Sequence, residues 1–275
     1  MISNFKKTHI MNISTINNYK TIVISDIHLG SKGAKAKEIS EFLKASHCEK
    51  LILNGDIIDG WQLKKGGTWK KKHTGFIRAV LKMIEKSDTE VIYIRGNHDD
   101  FLDQILPLRI GKQFSIRRDY LLESNGKKFF ICHGDIFDNI TKNMKWLAYI
   151  GDIGYNFLLW LNKWYNKYRE SKGKSYYSLS QEIKQKVKAA VNYISDFEEK
   201  LADLAKAREA DGIICGHIHK PEIKEINGIL YMNSGDWVES LSALVETQEG
   251  VWKLIFPFSE QTISKNDSNL FFKAS

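Results

Sequence analysis

Cysteine is scarce in this chain: three among 275 residues, Cys48, Cys132 and Cys215, with no Cys-x-x-Cys spacing. They cannot all pair with one another, which excludes a disulfide framework. Cys132 and Cys215 end apolar runs, the place of buried, reduced thiols in a cytoplasmic protein. No stretch reaches ~18 consecutive apolar residues, so no spanning helix is indicated. Residues 1–19 lack the unbroken apolar core of a signal peptide, and internal repeats are absent. Acidic side chains are in the minority, 33 against 41 Lys and Arg, giving a formal charge of +8. That balance suits an anionic partner (phosphorylated substrate, nucleic acid or acidic lipid surface) as well as a merely solvated lysine surface. What is present in quantity is hydrophobic residue, 43%, enough for a sizeable core in one large domain or in one domain with a substantial insertion.

The chain turns on Leu51-Ile52-Leu53-Asn54-Gly55-Asp56. The apolar run reads as a buried strand end and Gly55 permits a tight turn. Asp56 then projects beyond the strand, where α/β folds keep their chemistry. A carboxylate has two oxygens, so Asp56 reads as the bridge of a pair of divalent cations. Four other runs end alike. Thr21–Ser25 leads to Asp26 and His28, two residues apart and facing one way, a hard-plus-borderline ligand pair. Val91–Ile94 runs into Arg95-Gly96-Asn97-His98-Asp99. Asn97 offers an amide oxygen to a metal; His98 can meet a phosphoryl oxygen or protonate a leaving group, with Asp99 orienting its imidazole. Phe129–Cys132, reached through the Asn125-Gly126 turn signal, ends in His133, and Gly212–Cys215 ends in Gly216-His217-Ile218-His219. Five of the eight histidines thus occupy strand ends, which random placement rarely produces. His73 reads as a surface residue, and Asp100 and Asp103 as serving the next helical turn. Residues 34–46 and 74–86 read as helices, and Ala243–Glu246 and Val251–Phe256 as strands completing a second sheet.

Residues 140–210 carry no strand pattern. Their first half is crowded with aromatics, Trp146, Trp160 and Trp164 among them, flanked by lysines and divided by Gly151 and Gly154. This is the composition of a helical hairpin lying in a membrane interface or enclosing acyl chains, or of an ordinary insertion packed on the core. The second half reads as one or two amphipathic helices. The loop from Gly60 to Lys72 sets Trp61 and Trp69 among lysines, which either hold a phosphate and stack on a base or are solvated. Trp61, Lys64 and Arg95, the insertion's Trp146, Trp160 and Trp164, and Asp236 in Ser234-Gly235-Asp236-Trp237 are the candidates for substrate contact. The implied organisation is an extension at 1–19, a domain over 20–256 with its insertion at about 140–210, and a polar tail at 257–275.

Taken in order, Asp26-Ile27-His28, Gly55-Asp56, Gly96-Asn97-His98-Asp99, His133 and Gly216-His217-Ile218-His219 resemble the five motifs of the calcineurin-like metallophosphoesterases. The resemblance implies a four-layer α-β-β-α sandwich, two mixed sheets face to face with helices outside. It implies two divalent metal ions, manganese ahead of iron or zinc. Asp26, His28 and His219 would bind one ion, Asn97, His133 and His217 the other, and Asp56 both. Within that superfamily the aromatic insertion and the Ser234–Trp237 stretch are similar to the UDP-2,3-diacylglucosamine hydrolases. Those enzymes cleave a lipidated sugar nucleotide to UMP and 2,3-diacylglucosamine 1-phosphate for lipid A synthesis. The similarity implies peripheral contact with the cytoplasmic face of an anionic inner membrane. The best-known enzymes of that group carry Arg where this chain has His98. A general phosphodiesterase, a phosphatase or a nuclease of the same superfamily is the alternative, and a nuclease needs a basic track for many phosphates. A non-catalytic scaffold should have lost ligands, and this chain has lost none.

Overall fold

The computed structural model describes residues 17–140 and 179–259, together with 169, 172, 272 and 273. Two compact units divide the chain, residues 1–135 with 202–275, and residues 136–201. Among the described residues every strand lies in the first unit, in two sheets.

In the first sheet β1 (Asn17–Ile24), β2 (Ser46–Asn54), β3 (Glu90–Ile94) and β5 (Phe114–Arg117) run parallel, and β4 (Leu108–Ile110) closes one edge antiparallel to β5. At the other edge stand β11 (Ala243–Glu246), β12 (Val251–Ile255) and a short β13 (Phe272–Lys273). The second sheet follows the order β6 (Asp119–Ser124), β7 (Lys127–Cys132), β8 (Gly212–Cys215), β10 (Ile229–Asn233) and β9 (Glu222–Ile226), with β7, β8 and β10 parallel.

Side-chain alternation along the parallel strands builds the layers. Ile22, Ile24, Leu51, Leu53, Val91 and Tyr93 pack with Ile39 and Phe42 of α1 (Ala36–Lys44) and Phe76 and Met83 of α3 (Lys71–Ser87). The intervening Val23, Ile52 and Ile92 meet Phe129, Ile131, Ile214 and Met232 of the second sheet. Burial on both faces is why these strands read as unbroken apolar runs. Each such side chain contributes roughly 1.5–3 kcal/mol. Phe130 turns to the outer face, where the Arg208 guanidinium lies 4.9 Å from its ring, just past the end of α4 (Leu179–Ala207). Helices, sheet, sheet and helix end give the α-β-β-α order.

Three expectations change. Ala243–Glu246 and Val251–Ile255 belong to the first sheet, with Val23 opposite Leu244. Alternation identifies a strand but not its partner, and Leu244, Trp252 and Leu254 face the space between the sheets, which either placement would fill. His73 is fully buried: its Nδ1 accepts the Lys70 N–H at 3.2 Å at the start of α3, and Trp69 meets it edge-on at 5.3 Å. Gly60–Lys64, read as loop, is a short helix, α2. The second half of the insertion is one continuous helix, α4, while the aromatic stretch with Trp146, Trp160 and Trp164 lies outside the described residues. Among the described residues no helix is long and apolar enough to cross a membrane.

Candidate metal centre

The parallel strands of both sheets bring their carboxyl ends to one place. β1 delivers Asp26 and His28, β2 delivers Asp56, β3 leads to Asn97 and His98, β7 to His133, and β8 to His217 and His219. The backbone there leaves ordinary conformations. Ten non-glycine residues have positive φ among the described residues, and five of them are Asp26, His28, Asp56, His217 and His219. Half of the strained positions therefore carry candidate ligands, which is where strain is expected to persist. The glycines beside them serve close approach. A Cβ on Gly55 would run into the His133 ring, one on Gly96 into Asp56 Oδ1, and one on Gly216 into Asp26 Oδ2 and Ser25 Oγ.

Among the described residues, three groups of side chains have ligand atoms within 4.8 Å of one another: Asp26, His28 and His219; Asp26, Asp56 and His133; and His28, Asp59 and His98. His219 Nε2 lies 3.1 Å from Asp26 Oδ1, His133 Nε2 lies 3.5 Å from Asp56 Oδ1, and His28 Nε2 lies 3.8 Å from Asp56 Oδ2. His217 stands beside His133 with ring centroids 5.2 Å apart, and its backbone N–H donates to Asp26 Oδ2 at 3.0 Å. His133 Nδ1 donates to the Asn54 carbonyl at 2.9 Å, which fixes the tautomer and leaves Nε2 as the ligand atom.

Asp26 Oδ1, both amide atoms of Asn97 and His133 Nε2 are buried without a hydrogen-bond partner. An unmade bond on a buried polar atom costs about 1–3 kcal/mol. Three of these atoms, Asp26 Oδ1, Asn97 Oδ1 and His133 Nε2, can donate a lone pair, and gathered in one cluster of carboxylates, imidazoles and an amide they fit divalent cations with mixed N/O ligation.

Electrostatics agree. Burial pushes the Asp26 and Asp56 carboxyls up, but the surrounding imidazoles, His219 and His133 for Asp26 and His133, His28 and His98 for Asp56, hold both well below the usual carboxylate range. Burial also lowers the imidazoles. Asp56 and Asp26 outweigh it at His133, raised to about 10, and Asp26 at His219, raised to about 9. At His28 burial prevails and the pKa falls.

The carboxylate that meets His98 is Asp59, not Asp99. His98 Nδ1 lies 3.0 Å from Asp59 Oδ1. Asp99 is fully buried and turns the other way, accepting the Ile57, Ile58 and Gly96 N–H groups at 3.1, 2.9 and 3.3 Å and the Tyr93 hydroxyl at 2.8 Å. It holds the turn that carries Asp56. Asp59 went unread as a site residue; its signal is a second acid three residues beyond Asp56.

The expected substrate contacts are distributed unevenly. Trp61 tilts over His98 with ring centroids 4.3 Å apart, and its Nε1 donates to Asp100 Oδ2 at 3.1 Å; Lys64 Nζ lies 4.0 Å from the same carboxylate. Arg95 is taken up by Asp103, at 3.0 Å, and by Asp135. Asp236 is buried and its carboxylate accepts the N–H groups of Val238, Glu239 and Ser240, so it closes its own turn rather than facing a substrate.

Comparison with known proteins places the chain among phosphoesterases. UDP-2,3-diacylglucosamine hydrolase of Shewanella loihica is 26% identical over 249 residues, covering 87% of this chain and 98% of its own. The enzyme of that name from Neisseria meningitidis is 24% identical over 230 residues, 81% of this chain and 91% of its own. A solved archaeal phosphodiesterase aligns over 86% of this chain and 98% of its own, at 15% identity and a TM-score of 0.40. Residues 19–221, which carry every candidate ligand from Asp26 to His219, match the calcineurin-like phosphoesterases; the chain is a member of that family.

Proposed function

We propose that this phosphoesterase hydrolyses the pyrophosphate bond of UDP-2,3-diacylglucosamine, or of a close lipid-linked nucleotide, with two divalent cations, manganese foremost. The observation that carries the reading is the cluster of partnerless buried atoms, Asp26 Oδ1, Asn97 Oδ1 and His133 Nε2, among seven ligand-grade side chains. The names and near-complete coverage of the relatives support the choice of substrate.

Asp26, His28 and His219 would hold one cation, Asn97, His133 and His217 the other, and Asp56 would stand between them. When bound, such a pair supplies Lewis acidity towards phosphoryl oxygens and makes water a nucleophile near neutral pH. The chain's own groups do the rest. Asp59 is an acceptor only, so His98 carries its Nδ1 proton towards that carboxylate and presents Nε2, 3.8 Å from Asp56 Oδ2, to the reacting group. A ring held so is placed to meet a phosphoryl oxygen or to pass a proton to the departing oxygen. The backbone N–H of His98 donates to Asp56 Oδ1 at 2.8 Å and fixes the shared carboxylate. Trp61 and Trp69 are 38% and 41% exposed among lysines, which supports docking of this rim on an anionic membrane face.

The test is to incubate the manganese-loaded protein with UDP-2,3-diacylglucosamine and follow UMP by mass spectrometry. Metal-dependent UMP release is the expected result. Turnover of bis(p-nitrophenyl) phosphate with no UMP from the lipid nucleotide would transfer the chain to the general phosphodiesterases.

A further inference from the structure

A groove of about 610 Å³ opens at the edge of the first sheet, lined by Leu106–Arg109 and by Ser115 and Arg117–Asp119. Its walls carry three guanidinium groups against one lining carboxylate, Asp119. Arg118 is paired, 3.1 Å from Asp103. The other two are not: among the described residues neither Arg109 nor Arg117 meets a carboxylate. Arg117 Nε donates to Ser115 Oγ at 3.3 Å and its guanidinium sits 5.5 Å from the Tyr120 ring centre. Arg109 Nε donates only to the Gly111 carbonyl, at 3.2 Å, and Nη2 reaches the Lys112 carbonyl at 3.5 Å. Both keep terminal N–H groups for a ligand.

The position of the groove relates it to the metal centre. Arg117 ends β5, in register with Ile94 at the end of β3, and its carbonyl accepts the Arg95 N–H at 3.0 Å. β3 continues directly into Gly96-Asn97. Neighbouring strands lie ~4.8 Å apart, so the Arg117 end of the groove begins one strand outward from β3, which leads to the candidate ligand Asn97, at the carboxyl end of the sheet; from there the groove runs back along β5 to Arg109, beside the β4–β5 turn. Asp103 ties the two together, since Arg118 and Arg95 share its Oδ1.

We propose that this groove is an anion subsite of the same centre, and that it takes a second phosphate group carried by the substrate. The planar, permanently charged guanidinium forks of Arg109 and Arg117 match phosphate oxygens bidentately. Leu106, Pro107 and Leu108 supply an apolar wall for the body that joins the two phosphates. The proposal rests on hydrolysis at the metal pair but not on the lipid-linked nucleotide, whose two phosphates are both in the scissile pyrophosphate; it adds a preference for substrates that carry a second, separated phosphate.

The test uses deoxythymidine 5′-(p-nitrophenyl phosphate) with and without a 3′-phosphate, so that leaving group and sugar are constant. With manganese-loaded protein the 3′-phosphate should raise kcat/KM about tenfold, mainly through KM, as expected for a charge-assisted phosphate contact. The double variant Arg109→Gln/Arg117→Gln should bring the two substrates to within about twofold of each other, a ratio that partial misfolding does not move. Equal kcat/KM values in the wild type, or a preference that survives the double variant, would overturn the subsite. Equilibrium dialysis of thymidine 3′,5′-bisphosphate against the EDTA-treated chain gives a readout without turnover, and binding should weaken about tenfold in the double variant. Unchanged binding overturns the proposal. Arginine-dependent binding without any kinetic preference also overturns it, by making the groove a site for a separate phosphate-bearing ligand. If neither nucleotide is cleaved, hydrolysis at the metal pair is what fails, and dialysis alone decides the groove.

Discussion

Asp59 holds His98: the carboxylate oxygen stands 3.0 Å from Nδ1, and its other oxygen is 3.8 Å from Nδ1 of His28. Burial raises the Asp59 carboxyl, yet the hydrogen bonds from His98 and the Gln62 N–H hold it below its ordinary value, so it is an ionised acceptor at neutral pH. Asp59→Asn removes the charge and lets the amide present its NH₂ to the ring, favouring the wrong tautomer. A fall in kcat of about 10- to 100-fold is expected, within the range for a misplaced general acid, with bound manganese unchanged by mass spectrometry. Loss of metal together with rate would make Asp59 a ligand instead.

Asp99→Ala should act on stability. It strips the acceptor from the Ile57, Ile58 and Gly96 N–H groups and from the Tyr93 hydroxyl, all at or beneath the metal centre. Each orphaned buried donor costs about 1–3 kcal/mol, so urea unfolding of the metal-free protein should lose at least about 3 kcal/mol. A variant of wild-type stability with reduced kcat would return Asp99 to the catalytic role expected from sequence.

Gly96→Ala should abolish metal binding while leaving the rest of the fold in place. The added Cβ meets Asp56 Oδ1 and the Asp56 backbone nitrogen, neither of which can give way without moving the shared carboxylate. Gly66→Ala meets nothing within 4 Å and is the matched control for added bulk, though its φ of +85° carries a small strain of its own. Equal metal occupancy in the two variants would show that the Asp56 carboxylate is not a ligand.

Metal binding should release protons and remove the alkaline loss of stability. His133 at about 10 and His219 at about 9 are protonated in the metal-free protein at pH 7.5, whereas a ligand imidazole must be neutral. Calorimetric titration with manganese in buffers of different ionisation enthalpy should therefore show up to about two protons released. Both folded values lie above the unfolded reference of about 6.5. Their contribution to stability is thus complete below pH 6.5 and is lost as pH rises through 9 and 10. The metal-free protein should lose thermal stability over that alkaline range and the loaded protein should not. Parallel melting curves for the two forms would show that these imidazoles do not bind metal.

Strand ends were legible because each joins an unbroken apolar run to a short polar cluster, as at Leu51–Asp56 and Val91–Asn97. Two-sided burial and the chemistry of the turn leave separate marks in the sequence. Partners were not legible. Alternation marks Ala243–Glu246 as a strand, but Leu244 serves the inter-sheet core from whichever sheet it joins. Nor can spacing reveal which way a carboxylate turns once the chain leaves the sheet. Asp99 adjoins His98 in sequence and turns away from it, because three N–H groups and a phenol take both its oxygens. Asp59, thirty-nine residues earlier, reaches the ring because Asp56 and Asn97 lie at the ends of adjacent parallel strands. His73 defeats composition for a similar reason: a ring that caps a helix through Nδ1 is buried by its geometry.

The most direct measurement is the manganese content of the wild type and of Asp56→Ala after reloading and gel filtration, by plasma mass spectrometry. Two ions per wild-type chain and fewer than one in the variant are expected, since the shared carboxylate belongs to both sites. A wild type that retains no metal, or an Asp56→Ala chain that still holds two, would contradict convergence of these strand ends on a cation pair.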